Sequence, residues 1–281
     1  MTRSIPLFVS LTAALAAMPA SAADEVDGVR LYALDCGRLE FRDMTMFSDT
    51  GEYDGKPESL VDTCFLVRHP KGTLMWDTGL GDAMAEHEDG VNFGDSLTMH
   101  VDVRLVEQLD RIGLRPADIT YVAFSHLHFD HTGNANLFSD STWITSNASV
   151  AWAMQDPAPF GVDQDSFSAL MSAKRQQIDG DHDVFGDGTV RILKTPGHTP
   201  GHQSLEISLA EAGTVILSGD LYHTHANRHG QRVPRINVDR ADTLASMNRV
   251  EAIVENTGAR FVIQHDRKDF ESLPKFPAYL D

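Results

Sequence analysis

The stretch Ser125-His126-Leu127-His128-Phe129-Asp130-His131-Thr132-Gly133-Asn134 constrains this chain more than any other feature. It directly follows an apolar run, Ile119 to Phe124, that reads as a β-strand. Three histidines and one aspartate fall within six residues. Imidazole nitrogen and carboxylate oxygen are the usual zinc ligands outside cysteine-rich sites. In one tight loop, four such groups repel or desolvate each other unless a cation joins them. A polar loop that caps a helix is the bland alternative, and it gives no reason for the H-x-H-x-D-H spacing. Gly133 is expected to let the chain turn sharply behind the cluster.

Further ligand-type residues follow other predicted strands. His198 lies in Thr195-Pro196-Gly197-His198-Thr199-Pro200-Gly201-His202, after a strand from Val190 to Leu193. Asp220 ends Leu217-Ser218-Gly219-Asp220, after Thr214 to Leu217. His265 follows Arg260 to Ile263 and Gln264. With those strands side by side in a sheet, the loops at their C-terminal ends converge on one site. Val29 to Cys36, Thr63 to Val67 and Thr73 to Trp76 read as earlier strands. Val101, Leu105, Leu109 and Ile112 share one face of a predicted helix that Gly113 ends. A later helix starts at Asp239 as N-cap, turns Leu244, Met247, Val250 and Val254 inward, and stops by Gly258. The pattern is α/β, with helices covering the outer faces of sheets. With no linker or internal repeat, residues 23–281 read as one domain.

Taken together, H-x-H-x-D-H, the P-G-H loop, a later lone aspartate and a final histidine resemble the metallo-β-lactamase superfamily. Asp77-Thr78-Gly79 matches that family's early D-T-G signature. The resemblance implies an αβ/βα sandwich with the metals at the edge between two sheets. It implies two Zn2+ ions, or other divalent transition metals such as iron, manganese or cobalt. His126, His128 and His198 would hold the first, Asp130, His131 and His265 the second, and Asp220 would bridge them. An aspartate at the bridging position is typical of the lactonases, thioesterases and phosphotriesterases of the family and not of its β-lactamases. A histidine at position 128 also argues against the flavo-diiron branch, which has a glutamate there.

Within the family the chain is most similar to N-acyl homoserine lactonases of the exported Gram-negative type. Leu34-Asp35-Cys36-Gly37-Arg38-Leu39-Glu40, Phe47-Ser48-Asp49-Thr50, His69-Pro70-Lys71-Gly72 and Leu273-Pro274-Lys275-Phe276-Pro277 carry that finer match. It implies lactone ring opening by a hydroxide held between the metals, the chemistry of quorum quenching. Asp130 would accept the water proton and pass it to the leaving group. A phosphotriesterase (organophosphate hydrolase) or other carboxyl ester hydrolase on the same metals is the alternative. A β-lactamase, or a zinc module without catalysis, ranks below these. Lactonases of the family have a tyrosine three residues after the bridging aspartate. Here Tyr222 stands at the second position and His223 at the third, so either His223 takes the donor role or Tyr222 reaches the site by a local shift. His202 and Asp77 fit supporting roles that orient ligands. His225, Arg228 and His229 are placed in a solvated loop.

Met44, Met46 and Phe47 stand among polar residues between Phe41 and Tyr53, where they serve either an acyl chain or the core. Trp152-Ala153-Met154 is a weaker candidate of the same kind. The N-terminus reads as a signal peptide, residues 1–22: Arg3, an apolar run from Ile5 to Met18, then Ala20-Ser21-Ala22. That run is shorter than the ~20 residues a spanning helix needs, so no membrane anchor is expected and the mature protein is placed in the periplasm or outside the cell. The net charge of −18 disfavours nucleic acid as a partner. A small-molecule lactone or ester is the expected ligand, and a homodimer is compatible with the family. In an exported protein Cys36 and Cys64 are either a disulfide or two buried thiols.

Overall fold

A computed structural model describes Met1 and residues 26–281. The expected signal peptide thus lies, apart from Met1, outside the described residues. Two sheets face each other. The larger contains β1 (Arg30–Phe41), β2 (Glu58–His69), β3 (Gly72–Trp76), β4 (Val91–Phe93), β5 (Leu97–His100), β6 (Tyr121–Ala123), β7 (Thr142–Ser146) and β8 (Lys174–Ile178), in the order β4-β5-β1-β2-β3-β6-β7-β8. The smaller contains β9 (His182–Asp183), β10 (Val190–Lys194), β11 (Gln203–Leu209), β12 (Gly213–Leu217) and β13 (Arg260–Val262), in the order β13-β12-β11-β10-β9.

The side-chain alternation of the central strands dictates four layers. On β2, Phe65 and Val67 face the smaller sheet, while Cys64 and Leu66 face the opposite way. On β12, Val215 and Leu217 point into the same inter-sheet core, and Ile216 points outward. Both outward faces are apolar, and both are covered. Leu105 and Leu109 of α1 (Leu105–Asp110) and Ala153 of α3 (Asn147–Ala153) pack on the larger sheet. Met247 and Val250 of α5 (Arg240–Thr257) pack on the smaller. This is the expected αβ/βα sandwich.

Several sequence expectations are corrected by this architecture. The strands that carry the candidate ligands do not share one sheet: β6 belongs to the larger, and β10, β12 and β13 to the smaller. The site therefore forms where the edges of two sheets meet. The predicted helix from Val101 begins only at Leu105, because the Asp82 carboxylate accepts from the amides of Leu105 (2.6 Å) and Val106 (3.2 Å) and fixes its start there. Val101 packs instead with Leu97 and Met99. His225 to Gly230 is a helix, α4, with Thr224 as N-cap. His225 Nε2 there meets Asp269 Oδ1 at 2.9 Å, and Arg228 pairs with Glu251, so neither is free in a loop. Of the two alternatives for the cysteines, the structure has the disulfide: Cys36 and Cys64 are joined across β1 and β2, beside a register shift between Asp35 and Arg38.

Candidate active site

At the C-terminal end of β6 the chain leaves the larger sheet as an extended loop. It re-enters helical geometry at α2 (Phe129–Thr132). The turn presents His126, His128, Asp130 and His131 to the cleft between the sheets. Gly133 behind them has an ordinary helical φ of −57°, so the expected sharp turn is not the reason for glycine. A Cβ there would lie 2.3 Å from the Leu80 carbonyl carbon, so glycine is required by close approach of the D-T-G loop.

The seven candidate ligands fall into two groups. His126, His128, His198 and Asp220 each place one ligand atom within 4.8 Å of the others, and so do Asp130, His131 and His265. This is the grouping that the family resemblance implies. In the first group, His126 Nε2 and His128 Nδ1 are 2.8 Å apart, and His198 Nε2 is 3.1 Å from each. Asp220 stands between the groups. Its Oδ1 lies 3.0 Å from His265 Nε2 and 3.2 Å from His131 Nε2, and its Oδ2 lies 3.3 Å from His198 Nε2. All but Asp130 are fully buried.

The chemistry of this donor set fits divalent cations. Burial holds His126 and His198 well below the usual imidazole range, and His128 at about 4. Three neutral imidazole nitrogens thus converge at hydrogen-bond distance. One shared proton cannot satisfy all three, whereas a cation between them can. Burial would likewise lower His131 and His265. Asp77, Asp220 and Asp130 outweigh it at His131, which is pushed well above its usual value, and Asp220 leads at His265, pushed up to about 9. For Asp220, burial is overcome by His223, His265 and His131, which hold its carboxyl well below the usual range.

The second ring nitrogens of three of the histidines are occupied from behind, which fixes which nitrogen faces inward. His131 Nδ1 is 3.0 Å from Asp77 Oδ2, and His265 Nδ1 is 2.8 Å from the Val61 carbonyl. His198 Nδ1 is 2.9 Å from Asn237 Oδ1. Asp77 thus takes the supporting place expected of it, at a left-handed φ of 58° that costs backbone strain. His202 also supports: the Asp220 amide donates to its Nε2 at 2.8 Å, and its Nδ1 meets the Thr195 carbonyl.

Tyr222 and His223 separate. Tyr222 is fully buried against Phe261, in the cluster under α5, and does not line the site. The local shift that would have brought it there does not occur. His223 Nε2 lies 2.9 Å from Asp220 Oδ2, and its ring packs edge-on against Phe47 with centroids 4.8 Å apart. Above the ligands opens a cavity of about 160 Å³. Asp130, Asp220, His223, His265 and His128 form its polar floor, and Leu39, Phe41, Leu60, Leu97 and Ile236 contribute to its apolar walls. Met46 and Phe47 line it as well. Met44 does not: it is buried in the adjoining apolar cluster, which corrects its placement as a substrate contact. Nor do Trp152 and Met154 line the cavity.

Sequence reasoning missed Asn237, Gln264 and most of the cavity wall. Met46 and Phe47 were named as acyl-chain candidates, and Leu39 and Phe129 lay inside quoted stretches without being singled out. The others are apolar positions of strands and loops, with no local signal to separate wall from core.

The metallo-beta-lactamase superfamily model matches residues 60–265. N-acyl homoserine lactonase AttM of Azorhizobium caulinodans is 31% identical over 262 residues, covering 90% of this chain and 99% of that protein. N-acyl homoserine lactonase AiiA of Bacillus thuringiensis subsp. kurstaki is 29% identical, covering 89% and 98%. Among solved structures, an N-acyl homoserine lactone hydrolase with N-hexanoyl-L-homoserine bound at its catalytic metal centre superposes with a TM-score of 0.77. It is 28% identical and covers 89% of this chain and 98% of its own. The order of the motifs, the two-sheet architecture and the matches along the sequence agree: this chain belongs to the metallo-β-lactamase superfamily.

Proposed function

We propose that this protein opens the lactone ring of N-acyl homoserine lactones at a dinuclear metal site. One observation carries the reading: two ligand groups share Asp220 and open directly onto a deep, mostly apolar cavity. The relatives named as lactonases support it. His126, His128 and His198 would hold one metal, Asp130, His131 and His265 the other, and Asp220 both. Divalent cations bound there would polarise a carbonyl and lower the pKa of a water to about 7.

The chain's own residues do the rest. The apolar walls, including Met46, Phe47 and Ile236, bind the acyl chain and exclude water. His223 lines the cavity beside Asp220 and would donate a ring N–H to the carbonyl oxygen once metals hold the Asp220 carboxylate, stabilising the negative charge that develops there. Asp130 is the one ligand not fully buried, and its carboxylate lines the cavity. It takes the proton of the attacking water and returns it to the ring oxygen as the C–O bond breaks, leaving a carboxylate and a hydroxyl. No serine or cysteine nucleophile is needed, and both cysteines are spent in the disulfide.

We place the mature protein, residues 23–281, in the periplasm or outside the cell. The Cys36–Cys64 disulfide and the basic, apolar, A-x-A start of the sequence support this. The test of activity is hydrolysis of a long-chain N-acyl homoserine lactone, a phosphotriester and a carbapenem by the purified protein, each with and without a chelator. Lactone opening that outpaces the other two and stops on chelation is the expected result. A metal-loaded protein that leaves the lactone closed sinks the reading.

A further inference from the structure

Gln264 lies between β13 and His265, and it is fully buried. A primary amide has two acceptor and two donor positions, and here all four are used. Its Oε1 accepts from the Trp76 indole Nε1 and from the Gly219 amide, each at 2.9 Å. Its Nε2 donates to Asp77 Oδ2 at 2.9 Å and to the Thr63 carbonyl at 3.3 Å. The partners allow only one orientation. Flipping the amide would set its NH2 against two donors and its oxygen against a carboxylate.

Three of the four connections lead toward a candidate metal ligand. Asp77 Oδ2, which receives the Gln264 amide, also receives His131 Nδ1. Gly219, at a left-handed φ of 53°, is the residue before Asp220. Thr63 continues the strand whose Val61 carbonyl holds His265 Nδ1, and Gln264 is itself joined to His265 through the chain. The four hydrogen bonds of this amide reach none of His126, His128 and His198.

We infer that Gln264 is the positioning residue of the second metal group, one amide that fixes Asp77, and through it His131, together with the turn carrying Asp220 and the entry to His265. The inference rests on the dinuclear reading above. Gln264→Met keeps the side-chain length and removes every hydrogen bond. Gln264→Glu keeps the oxygen that serves Trp76 and Gly219, and sets a second carboxylate oxygen against Asp77. Partners that orient metal ligands typically contribute about 10–100-fold in affinity.

The experiment uses the full mature chain, loaded with zinc, as wild type, Q264M, Q264E, D77N and the D77N/Q264M double variant. Folding is checked by circular dichroism, and Q264E decides if Q264M does not fold. Bound zinc is counted across a graded chelator series, and the Trp76 indole N–H is followed by NMR in the metal-free protein. The wild type is expected to hold two zinc ions. The Gln264 variants should bind the second ion about 10–100-fold more weakly, with a smaller loss at the first, whose three histidines the amide does not touch. Excess zinc should restore most of kcat with KM little changed, and the Trp76 resonance should shift in Q264M. Because Asp77 and Gln264 share one link, the double variant should lose less affinity than the product of the two single losses. Variants that hold both ions as tightly as the wild type, or losses in D77N and Q264M that multiply, overturn the inference and leave the dinuclear reading standing. A folded wild type that holds fewer than two ions overturns both.

Discussion

Adjacent residues in the turn after β12 have unrelated fates, and the geometry of that turn decides them. Asp220 and His223 face the cleft between the sheets, and Tyr222 faces the core beneath α5. His223→Ala is therefore expected to lower kcat for lactone opening by about 10²–10³, the usual loss for one donor to a developing oxyanion, with KM little changed. Tyr222→Phe should leave kcat within about twofold, since the ring stays in its core position and donates nothing to the site. Steady-state kinetics of the two variants checks both, and the reverse ranking would reassign the donor. At this scale four of the ligands were legible because their chemistry is local: four ligand-type side chains within six residues need a cation to hold them together. His198, Asp220 and His265 were read instead from their places after predicted strands and from the family resemblance. Gln264 and Asn237 were not legible. Their roles come from partners such as Asp77 and His198, which only folding brings near.

The segment from Arg42 to Pro57 joins β1 to β2 and carries Met46 and Phe47 to the cavity wall. It has little regular structure of its own, so its position depends on what it is tied to. The Val233 carbonyl accepts from the Asp49 amide, and the Arg235 amide donates to the Met46 carbonyl, each at 2.8 Å. Asn227 Nδ2 of α4 donates to the Phe47 carbonyl at 2.8 Å, in a buried setting. Ion pairs from Arg232, Arg235 and Arg240 to Glu52, Asp54 and Asp49 are more exposed and contribute less. Asn227→Ala leaves a buried carbonyl unpaired and should cost about 1–3 kcal/mol in chemical denaturation. It should also raise KM for long-chain lactones more than for short ones, because Phe47 is the wall it releases. Equal KM changes for both chain lengths would count against this segment as an acyl-chain wall. Most strands of the inter-sheet core were legible from apolar runs, but β7 and β11, whose apolar residues alternate with polar ones, were not. The edge strand β8, Lys-Arg-Gln-Gln-Ile, was not, because an edge strand facing water carries polar side chains and loses the apolar signal.

Two properties belong to the molecule as a whole. The Cys36–Cys64 bridge joins residues 28 positions apart, so Cys36→Ser is expected to lower stability by about 3–4 kcal/mol, read as a shift in denaturation midpoint. The second property is a pH optimum of stability in the metal-free protein. His128 and His202 have folded values of about 4 against 6.5 unfolded, with burial as the leading cause. Between those values the unfolded chain binds more protons, so their contribution to stability is present above about 6.5 and is lost as pH falls toward 4. His265, pushed up to about 9, acts the other way: its contribution is present below 6.5 and is lost as pH rises through 9. Stability should therefore peak near neutral pH and decline on both sides, and urea midpoints at about pH 4.5, 6.5 and 9 measure it. A monotonic trend would show that these imidazoles do not carry the pH dependence. The two-layer sheet arrangement was legible as family resemblance, whereas strand positions alone pointed to a single shared sheet edge. The central proposal is a dinuclear centre that opens lactones. Returning zinc stepwise to the metal-free protein, while following acid release from an N-acyl homoserine lactone, puts that centre to the test. Activity should rise until about two equivalents per chain are bound and then level. Full lactone opening without metal, or none with two equivalents bound, is incompatible with such a centre.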